Sequence, residues 1–342
     1  MNRVRVLGVT TLAAAAVFAA SGVGQSQNSS TAREAPPLRL VQEIPLPGVE
    51  GRLDHFTIDA KRKRVIFSAL GNNTVEIVDA FAGRRIHSIT GLAQPQGTLY
   101  IPEFDRIFVA NAADGKVKVF NGTSFDLVET IDFGEDPDNL RYDGAAKRVY
   151  VGYGDGAIGV IDAATNKKLD VEYKLEGHPE GFQLETKGPR IFVNVADKKH
   201  LAVIDRTTGK VTTWPLGGAD KNFPLTLDET SQRVFIGTRK PSRLVVFDMA
   251  SGKVVASVPV AGDMDDLFYD AARKRVYVPG GEGFISVYQQ TDPDHYVAMD
   301  KAATSIGTRT GTYYVARDRI YLAAPPHANI GAALLVLEAQ DE

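Results

Sequence analysis

Four carboxylates, Asp54, Asp138, Glu180 and Asp265, occupy one equivalent place in a unit that recurs about every 42 residues. The other units place Gln96, Phe223 and Arg309 there. The next position reads His55, Gly97, Asn139, Gly181, Pro224, Asp266 and Thr310. If the units close into a ring, these side chains converge on one opening. Several carboxylates around one centre suit Ca²⁺ or another divalent metal, or a cationic ligand. Crowded acids also raise one another's pKa, a condition that acid–base chemistry exploits. The plainer alternative is a wet channel mouth with solvated carboxylates. The expected metal set is Asp54, Asp138, Glu180 and Asp265. The wider expected ligand set adds His55, Gln96, Asn139, His178, Phe223, Asp266 and Arg309.

Histidine is the other metal-binding type available, since the chain has no Cys. His55, His178, His200 and His327 fall in loops assigned to the same face; His87 and His295 do not. No pair has zinc-motif spacing. His55 and His178 stand out because they flank Asp54 and Glu180. Tyr153, Asp155, Arg239, Lys240 and Glu282 are expected on this face too.

The scaffold shows in an Arg followed by strand-forming residues, as in Arg148-Val149-Tyr150-Val151. Copies start at Arg64, Arg106, Arg148, Arg190, Arg233, Arg275 and Arg319, in steps of 42, 42, 42, 43, 42 and 44 residues. Such a period with β-branched and aromatic residues marks a propeller of four-stranded blades. After the Arg comes Val65, Ile107, Val149, Ile191, Val234, Val276 or Ile320. The next column is aromatic in six units (Phe108, Tyr150, Phe192, Phe235, Tyr277, Tyr321) and Ile66 in the first. Neighbouring strand residues face opposite ways, so one column packs on the preceding blade and the other on the following one. Five residues before the Arg, Asp59, Asp143, Glu185, Asp228 and Asp270 are placed to meet it across a tight turn.

The third strand of a unit often ends in Asp before a turn: Asp79-Ala80-Phe81-Ala82-Gly83-Arg84, Asp162-Ala163-Ala164-Thr165-Asn166-Lys167, Asp205-Arg206-Thr207-Thr208-Gly209-Lys210 and Asp248-Met249-Ala250-Ser251-Gly252-Lys253. The Asp accepts turn N–H groups, and Gly or Asn takes the left-handed position. This Asp-x-x-Thr/Ser-Asn/Gly-Lys turn, after a strand reading Arg-Val-Tyr-Val, resembles the YVTN-type repeat of YncE-like β-propellers. The resemblance covers residues 38–338. It implies a seven-bladed propeller and carries little about function, because many roles share that fold.

Residues 1–24 read as an export signal: Arg3 and Arg5, an apolar stretch from Val6 to Ala20, then small residues. The apolar run is shorter than the ~20 residues a spanning helix needs. Residues 25–37 read as a polar linker. Residues 38–342 are then one all-β domain, periplasmic or secreted, without a lipoprotein anchor and expected to be a monomer. The last unit lacks a fourth strand, and Leu38–Leu46 supplies an orphan one, so the N-terminal strand is expected to close the last blade.

With a formal net charge of −3, no nucleic-acid field is expected. Gly152–Gly156 leads into no helix and is no phosphate cradle. No Gly-x-Ser-x-Gly elbow is present. One Trp and no Cys pair argue against a quinoprotein dehydrogenase. Two functions remain: a non-catalytic propeller binding a small ligand, metal ion or protein partner at the channel mouth, which the lack of a catalytic motif favours, and a lactonase-like, metal-dependent hydrolase or lyase using the acidic ring.

Overall fold

The computed structural model of the chain describes residues 36–341. The expected export signal, and the linker up to residue 35, lie outside the described residues. The rest forms seven antiparallel sheets, one per sequence unit, with strands a to d running from the channel outwards. Blade 3 is representative: Leu140–Asp143, Arg148–Tyr153, Ala157–Asp162 and Lys167–Lys174 pair in that order. Blade 6 departs from the pattern. Its outer strand His295–Ala298 breaks off, and a fifth strand, Ala302–Ala303, pairs with the same neighbour, Phe284–Asp292.

The two repeating hydrophobic columns build the contacts between blades. Among the described residues there are seven buried clusters. Each joins the second column of one blade to the first column of the next: Ile66 with Ile107, Phe108 with Val149, Tyr150 with Ile191, Phe192 with Val234, Phe235 with Val276, Tyr277 with Ile320 and Tyr321 with Val65. Burying one such side chain stabilises by about 1.5–3 kcal/mol. The last cluster closes the ring. There Leu38–Pro45 pairs antiparallel with Ala333–Ala339 as the outer strand of blade 7. Ile44 of that strand packs with Val65 of blade 1 and Leu334 of blade 7.

The Asp-headed turns form as read. Asp79 accepts from the N–H groups of Phe81 and Ala82, Asp162 from Ala164 and Thr165, and Asp205 from Thr207 and Thr208. Gly83, Asn166, Gly209 and Gly252 take positive φ. The repeating Arg is less uniform. Arg64 bonds Asp59 and Arg190 bonds Glu185, five residues back. Arg148 and Arg233 bond Asp162 and Asp248 instead. These acids stand directly opposite in strand c, as Asp79 and Asp205 do for Arg64 and Arg190, so each Arg has two acids in reach and the blades differ in which one it takes.

Loops between blades and the loops joining strands b and c share one face. Gly71 donates to Arg52 O, Ala112 to Gln94 O, Gly154 to Glu135 O and Gly281 to Asp263 O. These bonds rim the channel mouth.

Candidate functional site: the channel mouth

Asp54, Asp138 and Glu180 sit one or two residues before the inner strands of blades 1, 3 and 4, and Asp265 and Arg309 sit just before those of blades 6 and 7. Their backbones extend the hairpins. Asp54 N donates to Ser68 O, Asp138 N to Gly152 O and Glu180 N to Asn194 O. Gln96 and Phe223 differ from the expectation of a pre-strand position. Each lies within a longer inner strand, at a register shift between Pro95 and Thr98 or between Asn222 and Leu225. Such bulges re-aim side chains.

Two groupings result. In the first, ligand atoms of Asp138, His178 and Glu180 all lie within 4.8 Å of one another. Asp138 is 5% exposed, and its Oδ1 has no hydrogen-bond partner. His178 Nδ1 is 2.7 Å from Gly154 O. A carbonyl only accepts, so Nδ1 carries the proton and Nε2 faces the cluster, 3.9 Å from Asp138 Oδ2. His55 stands beside this group. Its Nε2 is 3.3 Å from Asn139 Nδ2, 3.6 Å from Asp54 Oδ1 and 3.9 Å from Asp138 Oδ1, while Nδ1 faces Asp266 at 3.5 Å.

In the second grouping arginines balance the acids. Arg52 Nη2 is 3.0 Å from Asp54 Oδ2 and 3.4 Å from Asp265 Oδ2. The Asp54 contact is close but lacks hydrogen-bond alignment, so both oxygens of this fully buried carboxylate stay without hydrogen bonds. Asp265 also meets Arg239 at 2.8 Å and Arg309 at 3.2 Å, and Arg309 reaches Asp263 at 2.7 Å. Phe223 lies under the Arg239 guanidinium, 3.8 Å from its ring centroid, and so orients that cation. Gln96 donates to Asp136 at 3.1 Å, on the rim. The four acids expected to share one cation are thus divided: Asp138 and Glu180 group with His178, while Asp54 and Asp265 face guanidinium groups.

Electrostatics follow the same division. Burial, with Asp138 adding to it, pushes Glu180 up to about 8. Burial works against protonated His178, but Asp138, Gly154 O and Glu180 outweigh it and raise it to about 9. Burial pushes Asp54 up, and the surrounding Asp54, Asp266 and Asp138 raise His55 despite its own burial. For Asp138, burial is outweighed by the two imidazoles and Arg52, which hold it below the usual carboxylate range. The mouth therefore holds more negative charge than its fixed cations offset, and it takes up protons in compensation.

Arg52, Asp136 and Asp263 join the site without having been singled out in the sequence. All three stand two residues before the acids, in the column that also contains His178. These positions lie outside the strands, and Asp136 and Asp263 take positive φ, so strand alternation did not mark the column. His200 is buried against Glu176, 4.0 Å away, and His327 bridges to Ile330 through its backbone.

No family model matches the chain, and no curated protein matches it by sequence. Solved structures do. A chain of Kuenenia stuttgartiensis hydrazine synthase aligns with 16% identity and a TM-score of 0.70, over 83% of this chain and 99% of that one. A chain of a mitotic checkpoint complex aligns with 13% identity and a TM-score of 0.73, over 99% of each. The WD40 repeats of RRP9 align with 8% identity and a TM-score of 0.74, over 88% and 97%. At these identities the likeness is one of fold: a seven-bladed propeller.

Proposed function

We propose that this chain is an exported, YVTN-type propeller that binds a divalent transition metal at the channel mouth through Asp138, His178 and Glu180. The observation that carries the reading is the convergence of ligand atoms of these three side chains within 4.8 Å of one another, on a buried Asp138 that also keeps its Oδ1 unpartnered. An imidazole with two carboxylates is a mixed nitrogen–oxygen set, which suits Zn²⁺ or Mn²⁺ better than Ca²⁺, whose ligands are all oxygen. The bond from His178 Nδ1 to Gly154 O fixes the tautomer that leaves Nε2 free, as backbone carbonyls do behind metal-bound histidines. The repeated Asp-headed turns support the YVTN assignment, and the basic, then apolar N-terminus supports export.

Metal binding is tested by titrating metal-free protein with Zn²⁺, Mn²⁺ and Ca²⁺, with metal content and melting temperature as readouts. Zn²⁺ or Mn²⁺ should bind stoichiometrically and raise the melting temperature by linkage. Asp138→Asn with His178→Gln should abolish both effects. A folded protein that takes up none of these ions refutes the reading, and preference for Ca²⁺ refutes the assigned role of His178. N-terminal sequencing of the exported protein tests the signal.

A second reading rests on the ligand count. Three protein ligands leave coordination positions open, as catalytic zinc sites do. Metal-dependent hydrolysis of lactones or esters by the loaded protein, absent in the Glu180→Gln variant, would establish it.

A further inference from the structure

Behind the mouth, the inner strands of all seven blades enclose a channel cavity of about 380 Å³. Its wall is built from two columns. One is the His55, Gly97, Asn139, Gly181, Pro224 and Asp266 column, nearest the mouth. The other lies two residues further along each strand: Thr57, Leu99, Arg141, Gln183, Thr226, Phe268 and Thr312. This deeper ring contains one charge, Arg141. Among the described residues the guanidinium makes no ion pair. Its Nη1 donates to Leu140 O at 2.8 Å, and its carbon lies 5.4 Å from the Phe182 ring centroid. Burial pulls the guanidinium below its ordinary pKa, against the more distant pull of Asp266 and Asp138. Arginine nevertheless stays protonated in proteins. As a half-buried cation on the cavity wall without a paired anion, Arg141 is placed to receive one.

The remaining wall says what would fit. Gln183, Thr226 and Thr312 offer neutral polar groups level with Arg141, Leu99, Leu267 and Phe268 offer apolar surface, and the acids of the lining, Asp265 and Asp266, belong to the mouth end. Val315, 59% exposed, lines the same cavity, so the channel reaches solvent at that end. The volume lies within the range of small-molecule pockets.

We propose that this channel binds a small organic acid, its carboxylate on Arg141 and its apolar body against Leu99 and Phe268. Arg141 supplies the planar, two-pronged donor that carboxylates match. The site is separate from the Asp138–His178–Glu180 cluster, which faces the mouth, and it stands whether or not a metal binds there.

The test uses the full chain with benzoate and succinate as probes, inorganic phosphate as the alternative oxyanion, and benzamide as the neutral counterpart of benzoate. Calorimetry and thermal shift should show millimolar or tighter binding of at least one carboxylate and none of benzamide. Arg141→Gln should weaken that binding about 10- to 100-fold, the loss expected for a charge-assisted hydrogen-bonded pair. Asp138→Asn with His178→Gln removes a negative charge that competes for Arg141, so it should keep the carboxylate binding or tighten it while metal uptake is lost, which separates this outcome from failure of the metal reading. Should Arg141→Gln misfold, Arg141→Lys keeps the charge without the fork and should still weaken the carboxylate. Crystals soaked in 4-bromobenzoate should place bromine in the channel. Three results overturn the proposal: no carboxylate binding to the wild type, equal binding by the folded Arg141→Gln or Arg141→Lys variant, or phosphate outcompeting both acids.

Discussion

Asp59 and Asp138 are both buried carboxylates, and their surroundings differ. Asp59 is fully enclosed and satisfied. It receives Arg64 Nη2 at 2.6 Å, Arg62 Nη1 at 3.1 Å and the Arg62 backbone N–H at 3.0 Å. Asp138 keeps an oxygen without any donor. A satisfied buried ion pair needs no ligand, whereas an unsatisfied one is costly until something arrives. For Asp59, burial pushes its pKa up, but the donated N–H bonds and the two arginines outweigh that and lower it. The unfolded chain therefore binds the proton more readily than the folded one. The stability this supplies is complete above the unfolded pKa of about 3.9 and is lost as pH falls through the folded value. Asp59→Asn should cost about 3 kcal/mol at neutral pH, because it strands buried Arg64. Its denaturation curve should then approach that of the wild type on acidification below roughly pH 4. A gap between the two proteins that stays constant well below pH 4 would contradict the lowered pKa of Asp59.

Between blades, the inner strands approach so closely that side-chain size is limited. A Cβ on Gly97 would collide with the Asp138 carbonyl, and one on Gly181 would lie 2.5 Å from Phe223 O. Gly97 thus holds the backbone of a proposed metal ligand in place. Gly97→Ala should lower stability by about 1–3 kcal/mol through overpacking and weaken metal binding about tenfold. Gly209→Ala is the control. Gly209 has φ +73° with open space around it, in an outer turn, so its substitution should lower stability and keep the metal affinity. Metal affinity unchanged in the Gly97→Ala variant would separate Gly97 from the site. The same element scale explains what the sequence revealed. Strand alternation repeated seven times made both hydrophobic columns, their opposite faces and the inter-blade clusters legible. The grouping within the acidic ring was not legible, because which of Asp54, Asp138, His178, Glu180 and Asp265 come together is decided across a ring rather than along a strand. Arg52 was harder to read because its column mixes Arg52, Gln94, Asp136, His178 and Asp263, with no chemistry in common. The Arg148 and Arg233 pairings were hidden because an acid five residues back and an acid across the strand look equally available in one dimension.

At the scale of the whole domain, each blade touches its two neighbours, so the ring depends on one junction that the chain does not make by sequence continuity. That junction is blade 7, assembled from Gly311–Tyr314, Arg319–Ala324, Ala333–Ala339 and the N-terminal Leu38–Pro45. Without the last strand, Ala333–Ala339 becomes an exposed edge, and Ile44 and Leu46 leave the cluster between blades 7 and 1. An open array would lose stability locally, as solenoids do, while a closed ring should respond as one unit. The single tryptophan reports which holds. Trp214 lies between blades 4 and 5, packed near Phe192 and Phe247, across the ring from the junction. Ile44→Ala removes a fully buried side chain and should cost about 2–5 kcal/mol. If closure couples the blades, the Trp214 fluorescence transition should shift to lower denaturant by an amount matching that loss, coincident with circular dichroism. A Trp214 transition that stays in place while the circular dichroism signal melts early would show that blades 4 and 5 hold without the junction. The channel sites would then rest on local packing rather than on ring closure.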